Sequence, residues 1–303
     1  MLQLDIDKME RIRKIDKYHL HKDAPYELQF EIFPLNDYLK EGGLLTQKPH
    51  THSFYQIIWF MSGQGKHFVD FNEYTVGDNS LFFISKGQVH CFDENAYDGC
   101  IIHFNEAFIA DNENYVNIFL NHNIFHSFEK EPVFHIKHSD DNELKNIVTQ
   151  MQNEMWTPNQ FAHSEYLKVL LHLFLIVVQR FGVRKDCSGL SMNNPFHILF
   201  VKFRKLLEDN YNKIHTVMEY ANILHISAKT LTNCTKEISA QTPLEIINDR
   251  IFLEAKRLLA YSDKNINEIG FELGFEDPSY FVKFFKRYMK MSPGDFRKIE
   301  LLK

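Results

Sequence analysis

A chain of 303 residues with 44% hydrophobic and 24% charged residues reads as an ordinary globular protein of two domains, each long enough to bury its own core. The longest apolar stretch, Val169 to Val178, contains a histidine and is too short to span a bilayer, and no segment has a low-complexity or disorder signature. The net charge of −6 is uneven: residues 195–303 carry 17 Lys+Arg against 14 Asp+Glu, whereas the rest carries 17 against 26, so the two parts are expected to meet different partners.

The opening stretch, Met1 to Lys17, is too charged for a secretory signal. Cys91, Cys100, Cys187 and Cys234 form no C-x-x-C pair and read as reduced thiols of a cytoplasmic protein. From Tyr26 to Phe104 the segments "FYQIIWF", "GKHFVDF", "NSLFFIS" and "YDGCIIHF" are short, aromatic and β-branched, and are punctuated by Gly, Asn and Asp. They predict strands of a small barrel or sandwich. "GQGK" at Gly63–Lys66 lacks the spacing of a phosphate-binding loop and reads as a hairpin turn.

Leu144, Ile147, Val148, Met151 and Met155 then mark an amphipathic helix with capping chemistry at Asp140 and Glu143, ended by Trp156-Thr157-Pro158. A second helix, Ala162 to Phe181, is apolar on two faces. Leu167, Leu170, Leu171, Phe174 and Val178 form one; Val169, Leu173 and Ile176 form another. Such a helix needs cover on both sides, from its own chain or from a second copy in a homodimer. "RKDCSGLSMNNP" has loop chemistry. The expected division is therefore 1–183, a linker at 184–196, and 197–303.

The last part repeats itself. Thr216-Val217, Glu219 and Ala221 align with Asn265-Ile266, Glu268 and Gly270 at an offset of 49, and Leu231, Cys234, Thr235 and Ile238 align with Phe281, Phe284, Phe285 and Tyr288 at an offset of 50. Each unit is a capped short helix, a tight turn and a longer helix, which is helix-turn-helix grammar written twice. Asp277-Pro278 is an N-cap followed by proline at the first helical position. In such a unit the exposed face of the second helix enters the major groove. That face is Lys229, Thr232, Asn233 and Lys236 in the first unit, and Ser279, Val282, Lys283, Lys286 and Arg287 in the second. Lysine and arginine suit phosphate or guanine, Asn suits adenine, and Val and Thr methyls suit thymine. Two solvated amphipathic helices are the plain alternative, but two in register favour double-stranded DNA. The connecting segment Pro243–Ser262 makes a helix spanning roughly 25–30 Å. Successive grooves on one face of DNA lie about 34 Å apart, so bending of the bound duplex is expected.

Three C-terminal motifs carry a resemblance: "A-x-x-L-x-I-S-x-x-x-L" from Ala221, "TPLEIINDRIFLEAKRLL" from Thr242, and "I-x-E-I-G-F-E-L-G-F-E-D-P-S-Y-F-x-K-x-F-K" from Ile266, followed by "SPGDFR". With them the chain resembles the AraC/XylS family of bacterial transcription regulators over about Phe200 to Arg297. The resemblance implies an α+β chain: an N-terminal cupin-like β-barrel with dimerisation helices, and an all-α C-terminal domain with two helix-turn-helix units. It implies a sequence-specific regulator, an activator, that binds promoter DNA, contacts RNA polymerase and answers a small-molecule effector. The family has glycine where Ala240 and Lys290 stand, at positions where a helix end prefers positive φ.

The barrel resemblance rests on "KPHTHSFYQIIWFMSGQG" and "VGDNSLFFISKGQVHCF". By strand alternation His50, His52, Gln56 and Ile58 are expected on one face, with His90 and Phe92 on a facing strand, as the ligand pocket. Three imidazoles could hold a divalent metal, but Gln56 stands where a metal-binding barrel of this type offers Glu. The expectation is no metal, no cofactor and no catalytic residues. The rival readings are a metal-dependent cupin enzyme with a DNA-binding appendage, and a ligand-independent DNA-binding dimer.

Overall fold

The computed structural model describes residues 15–24, 26–109, 125, 131–137, 141–186 and 195–301. The chain divides into two compact units, one built on Asp16–Ser191 and one on Met192–Lys303. Residues 1–14, Asp140 (the expected cap) and the stretch 187–194 with Cys187 lie outside the described residues. Of the segment expected as a linker, 184–186 complete one helix and Pro195 begins the next.

Among the described residues the first unit contains ten strands: β1 (Asp16–Tyr18), β2 (Phe30–Pro34), β3 (His50–His52), β4 (Tyr55–Ser62), β5 (Gly65–Val69), β6 (Asn72–Val76), β7 (Ser80–Ile84), β8 (His90–Phe92), β9 (Asp98–Phe104) and β10 (Val133–His135). They form two five-stranded sheets, β1-β3-β8-β5-β6 and β10-β7-β4-β9-β2. No ladder joins the two among the described residues, so the expected barrel is a sandwich of two open sheets.

Strand β4 shows why. It lies between β7 and β9 and is covered on both faces, so it is buried from Tyr55 to Phe60 and apolar there but for Gln56. One parity, Ile58 and Phe60 with Phe82, Ile84 and Ile101, packs against Val69, Val76 and Phe92 of the other sheet. The opposite parity, Ile57 and Trp59 with Leu81, Phe83 and Ile102, packs under two helices, α4 (Asp141–Met155) and α5 (His163–Asp186). Short helices α1 (Leu35–Gly42), α2 (Leu44–Gln47) and α3 (Glu106–Ile109) lie between or after the strands.

The inner face of α5 is buried through Leu167, Leu170, Leu171, Phe174 and Val178, as the periodicity predicts. Its outer face keeps Tyr166, Val169 and Leu173 exposed, and Ile176 is half-buried.

One turn differs from expectation. β4 and β5 belong to different sheets, so Gly63-Gln64 carries the chain across the sandwich instead of closing a hairpin. Gly63 has φ 120°, and a Cβ there would lie 2.7 Å from the Tyr97 ring. The tight hairpin is β5–β6, with Val69 opposite Asn72 and Asp70 in the left-handed region at φ 54°.

The second unit is all helical: α6 (Pro195–Asn210), α7 (Val217–Ile223), α8 (Ala228–Ser239), α9 (Pro243–Tyr261), α10 (Ile266–Glu272), α11 (Pro278–Met289) and α12 (Pro293–Leu301). Of the residues the two repeats align, Leu231, Cys234 and Thr235 on α8 and Phe281 and Phe285 on α11 are buried, together with Ile246, Ile247, Ile251 and Leu259 along α9, while Ile238, Phe284 and Tyr288 are half-buried. The Arg250 guanidinium lies 3.9 Å from the Tyr211 ring centre and reaches Glu208 at 2.8 Å and Glu254 at 3.0 Å, tying α9 to α6. A buried arginine is retained only when paired in this way.

Candidate DNA interface and ligand site

The two reading helices are set by local chemistry. Thr216 caps α7 by accepting from the Glu219 N–H, and Asn265 caps α10 in a full capping box with Glu268. After each short helix one residue turns left-handed, His225 at φ 55° and Gly274 at φ 84°. These are equivalent positions in the repeat. The second turn is one residue longer, which moves the alignment offset from 49 to 50. Ser227 and Asp277 then cap α8 and α11. Each reading helix ends on a left-handed residue, Ala240 at φ 60° and Lys290 at φ 61°. These are the two positions where the family resemblance implies glycine.

On α8 the structure leaves Lys229, Asn233 and Lys236 exposed and Thr232 half-buried. The Thr232 hydroxyl donates to the Ala228 carbonyl at 2.8 Å, so toward a partner it presents a methyl group and an acceptor. On α11 Ser279, Lys283, Lys286 and Arg287 are exposed and Val282 is half-buried. Lys283 sits 5.3 Å from the Tyr280 ring and Arg287 5.4 Å from the Tyr288 ring. Tyr280, 64% exposed beside Lys283, escaped the sequence reading. Its signal was an aromatic residue one position out of the buried Phe281–Phe285 register.

The ligand-site residues are brought together differently from the expectation. His50 and His52 lie on β3, whereas Gln56 and Ile58 lie on β4 in the opposite sheet, because the chain changes sheets at Ser53-Phe54. His90 and Phe92, on β8, are in the same sheet as β3, with His50 and His90 directly paired. All six side chains are buried.

Two further histidines join them. His67 of β5 places Nε2 3.3 Å from His90 Nδ1, and His103 of β9 places Nε2 2.9 Å from the Gln56 amide. Both stand at the inward parity of their strands, next but one to Val69 and Ile101. A polar residue in a buried register was the sequence signal for them.

His103 donates through Nδ1 to Glu31 at 3.4 Å, so its Nε2 accepts and the Gln56 NH₂ donates. Among the described residues that leaves Gln56 Oε1 buried with no partner, and His67 Nδ1 likewise. Burial pushes the pKa of His50, His52, His90 and His103 down and that of His67 down to about 3. The site is a cluster of neutral imidazoles lined by Tyr18, Phe54 and Phe92.

Paired helix-turn-helix units with exposed cationic faces, carried with a β-sandwich that gathers polar side chains in its interior, define a DNA-binding protein with a ligand domain. Comparison with known proteins agrees. Residues 44–175 match the model of the AraC-like ligand binding domain, and residues 220–299 match a helix-turn-helix domain model. The HTH-type transcriptional activator RhaS of Klebsiella pneumoniae strain 342 is 24% identical over 250 residues, 82% of this chain and 86% of the relative; RhaS of Escherichia coli O9:H4 strain HS is 20% identical over the same length. The crystal structure of ToxT from Vibrio cholerae O395 matches with a TM-score of 0.40 at 15% identity, over 91% of this chain and 99% of that one. The chain belongs to the AraC/XylS family of transcription regulators.

Among the described residues, no helix is long and apolar enough to cross a membrane.

Proposed function

We propose that the protein is a cytoplasmic activator that binds promoter DNA as a homodimer, contacts RNA polymerase and responds to a small molecule held among His50, His52, Gln56, Ile58, His90 and Phe92, without enzymatic activity. The observation that carries the DNA reading is the pair of equivalent exposed faces on α8 and α11, each capped and turned in the same way. The orphaned Gln56 Oε1 supports the ligand reading, because a buried acceptor without a donor is costly and a bound molecule would satisfy it. The exposed Tyr166, Val169 and Leu173 stripe supports the dimer. The two RhaS relatives support activation. The proposed domain boundary remains 184–196.

In the DNA complex Asn233 reads a base, Lys286 neutralises a phosphate, and Lys283, over Tyr280, serves either role. Fluorescence anisotropy on specific and scrambled duplexes across a salt series tests this. Asn233→Ala is expected to cost roughly 1–3 kcal/mol on the specific duplex alone. Lys286→Ala weakens both duplexes and lowers the salt slope by about one unit. Equal losses with the same slope would refute the assignment of roles. No loss in either variant would refute the DNA face.

A further inference from the structure

Inside the sandwich His50, His52 and His90 each bring one ring nitrogen to within 4.8 Å of the others, with all three side chains buried. We infer that these three imidazoles bind one divalent first-row transition-metal ion, of the zinc, iron(II), cobalt or nickel kind. The inference deepens the reading of the sandwich as the ligand domain and does not depend on the DNA face.

The spacing suits the chemistry. Metal–imidazole bonds of about 2.0–2.1 Å in a tetrahedral site put neighbouring ligand nitrogens about 3.3–3.4 Å apart. His90 Nε2 and His52 Nδ1 are already 3.1 Å apart, and His50 has to draw in by up to about 1.5 Å to complete a site of that geometry.

The outer atoms are arranged as a metal site requires. His50 donates through Nδ1 to the Lys48 carbonyl at 2.8 Å, which leaves its Nε2 as the ligand atom. His90 is held through Nδ1 by His67 Nε2 at 3.3 Å, which leaves its Nε2 toward His52. Hydrogen bonds of this kind fix the tautomer and aim of metal-bound histidines. His67 performs this service while its own Nδ1 stays buried without a partner among the described residues. Burial keeps the three imidazoles neutral; without an ion His52 donates through Nδ1 to His90 Nε2, so binding requires His52 to carry its proton on Nε2 instead.

The donor set also selects the ion. It is all imidazole nitrogen. Cys91, between His90 and Phe92, takes the other parity of β8, so no thiolate joins from that strand. Nitrogen donors favour zinc, iron, cobalt, nickel or copper over magnesium and calcium. Three protein ligands leave at least one position open to water or to a donor atom of an effector. The expectation of a metal-free pocket rested on Gln56 in place of Glu, but the three imidazoles come from the facing sheet and need no fourth protein ligand, and the Gln56 NH₂ is turned to His103.

The test uses tag-free full-length protein stripped with chelator and titrated with CoCl₂ or ZnCl₂, read by calorimetry and by the visible bands of bound Co²⁺. One ion per chain is expected, with no response to MgCl₂ or CaCl₂. His52→Ala and His90→Ala weaken binding at least 100-fold, with His→Gln versions used where an alanine variant does not fold. His67→Ala weakens it roughly 10–100-fold, as loss of an orienting partner does. His135→Ala, outside the cluster, changes nothing. Absence of binding at 100 µM metal, or binding that survives His52→Gln/His90→Gln in folded protein, overturns the proposal. DNA binding of the same preparation is measured alongside. Loss of metal binding with DNA binding intact sinks the metal site alone, whereas a wild type that binds metal and no DNA sinks the regulator reading alone.

Discussion

Ala240 and Lys290 end the two reading helices in the left-handed region, at φ 60° and 61°. A residue with a Cβ is strained there by about 1–2 kcal/mol, because Cβ crowds the following carbonyl. Glycine removes that strain but gives the unfolded chain extra freedom, worth about 0.4–1 kcal/mol in the opposite direction. The net is a stabilisation of about 0.5–1 kcal/mol per site. The two residues cap different helices, so Ala240→Gly/Lys290→Gly should gain about 1–2 kcal/mol by addition. With a urea dependence of about 1–3 kcal/mol per molar, the midpoint rises by roughly 1 M.

The assay is urea unfolding of the full chain followed by far-ultraviolet circular dichroism. Tryptophan fluorescence is an internal control, because both tryptophans, Trp59 and Trp156, belong to the N-terminal unit. The helical transition of the C-terminal unit should move and the fluorescence transition should stay. DNA affinity should be unchanged, since neither residue belongs to the proposed reading face. A neutral or destabilised double variant would refute the argument that strain is stored at these helix ends.

The remaining predictions concern the turn, the outer helix face and acid stability. Gly274→Ala should destabilise the C-terminal unit by more than about 2 kcal/mol in the same urea assay, since its φ is 84° and an added Cβ would meet the Asn212 carbonyl oxygen at 2.4 Å; a stable variant would contradict the turn geometry. Leu173, 40% exposed on the outer face of α5, should sit in the dimer contact. Leu173→Glu should convert a dimer to a folded monomer in analytical ultracentrifugation, and a wild type that is monomeric at micromolar concentration would refute the dimer. The carboxylates of Glu245, Asp277 and Asp295 are held below their ordinary range, first by accepting from the Thr242 N–H, the Ser279 N–H and the Ser292 hydroxyl respectively. A depressed carboxylate pKa stabilises the fold fully above its unfolded value and loses that stability as pH falls through the folded value. Helical stability should therefore decline below about pH 4.5, and Asp277→Asn should flatten its share of the profile while still capping α11. A profile that Asp277→Asn leaves unaltered would refute that share.

The C-terminal unit was legible because its determinants are local. The caps Thr216, Asn265 and Asp277, the 3.6-residue period and the 50-residue repeat all act within a few turns of chain, so the reading faces of α8 and α11 could be placed before any contact was known. The strands of the N-terminal unit were legible too, but their partners were not. Strand pairing joins residues far apart in sequence, and alternation within a segment does not say which sheet the segment enters. That is why Gly63-Gln64 reads as a hairpin when it crosses the sandwich, and why His50 and Gln56 read as one strand face when they lie in two different sheets.

By itself the sequence determined that His50, His52 and His90 stand at inward positions of strands, and it did not single out His67 or His103. Only the tertiary structure decided that His67 holds His90 and His103 holds Gln56, because non-local sheet register sets those distances.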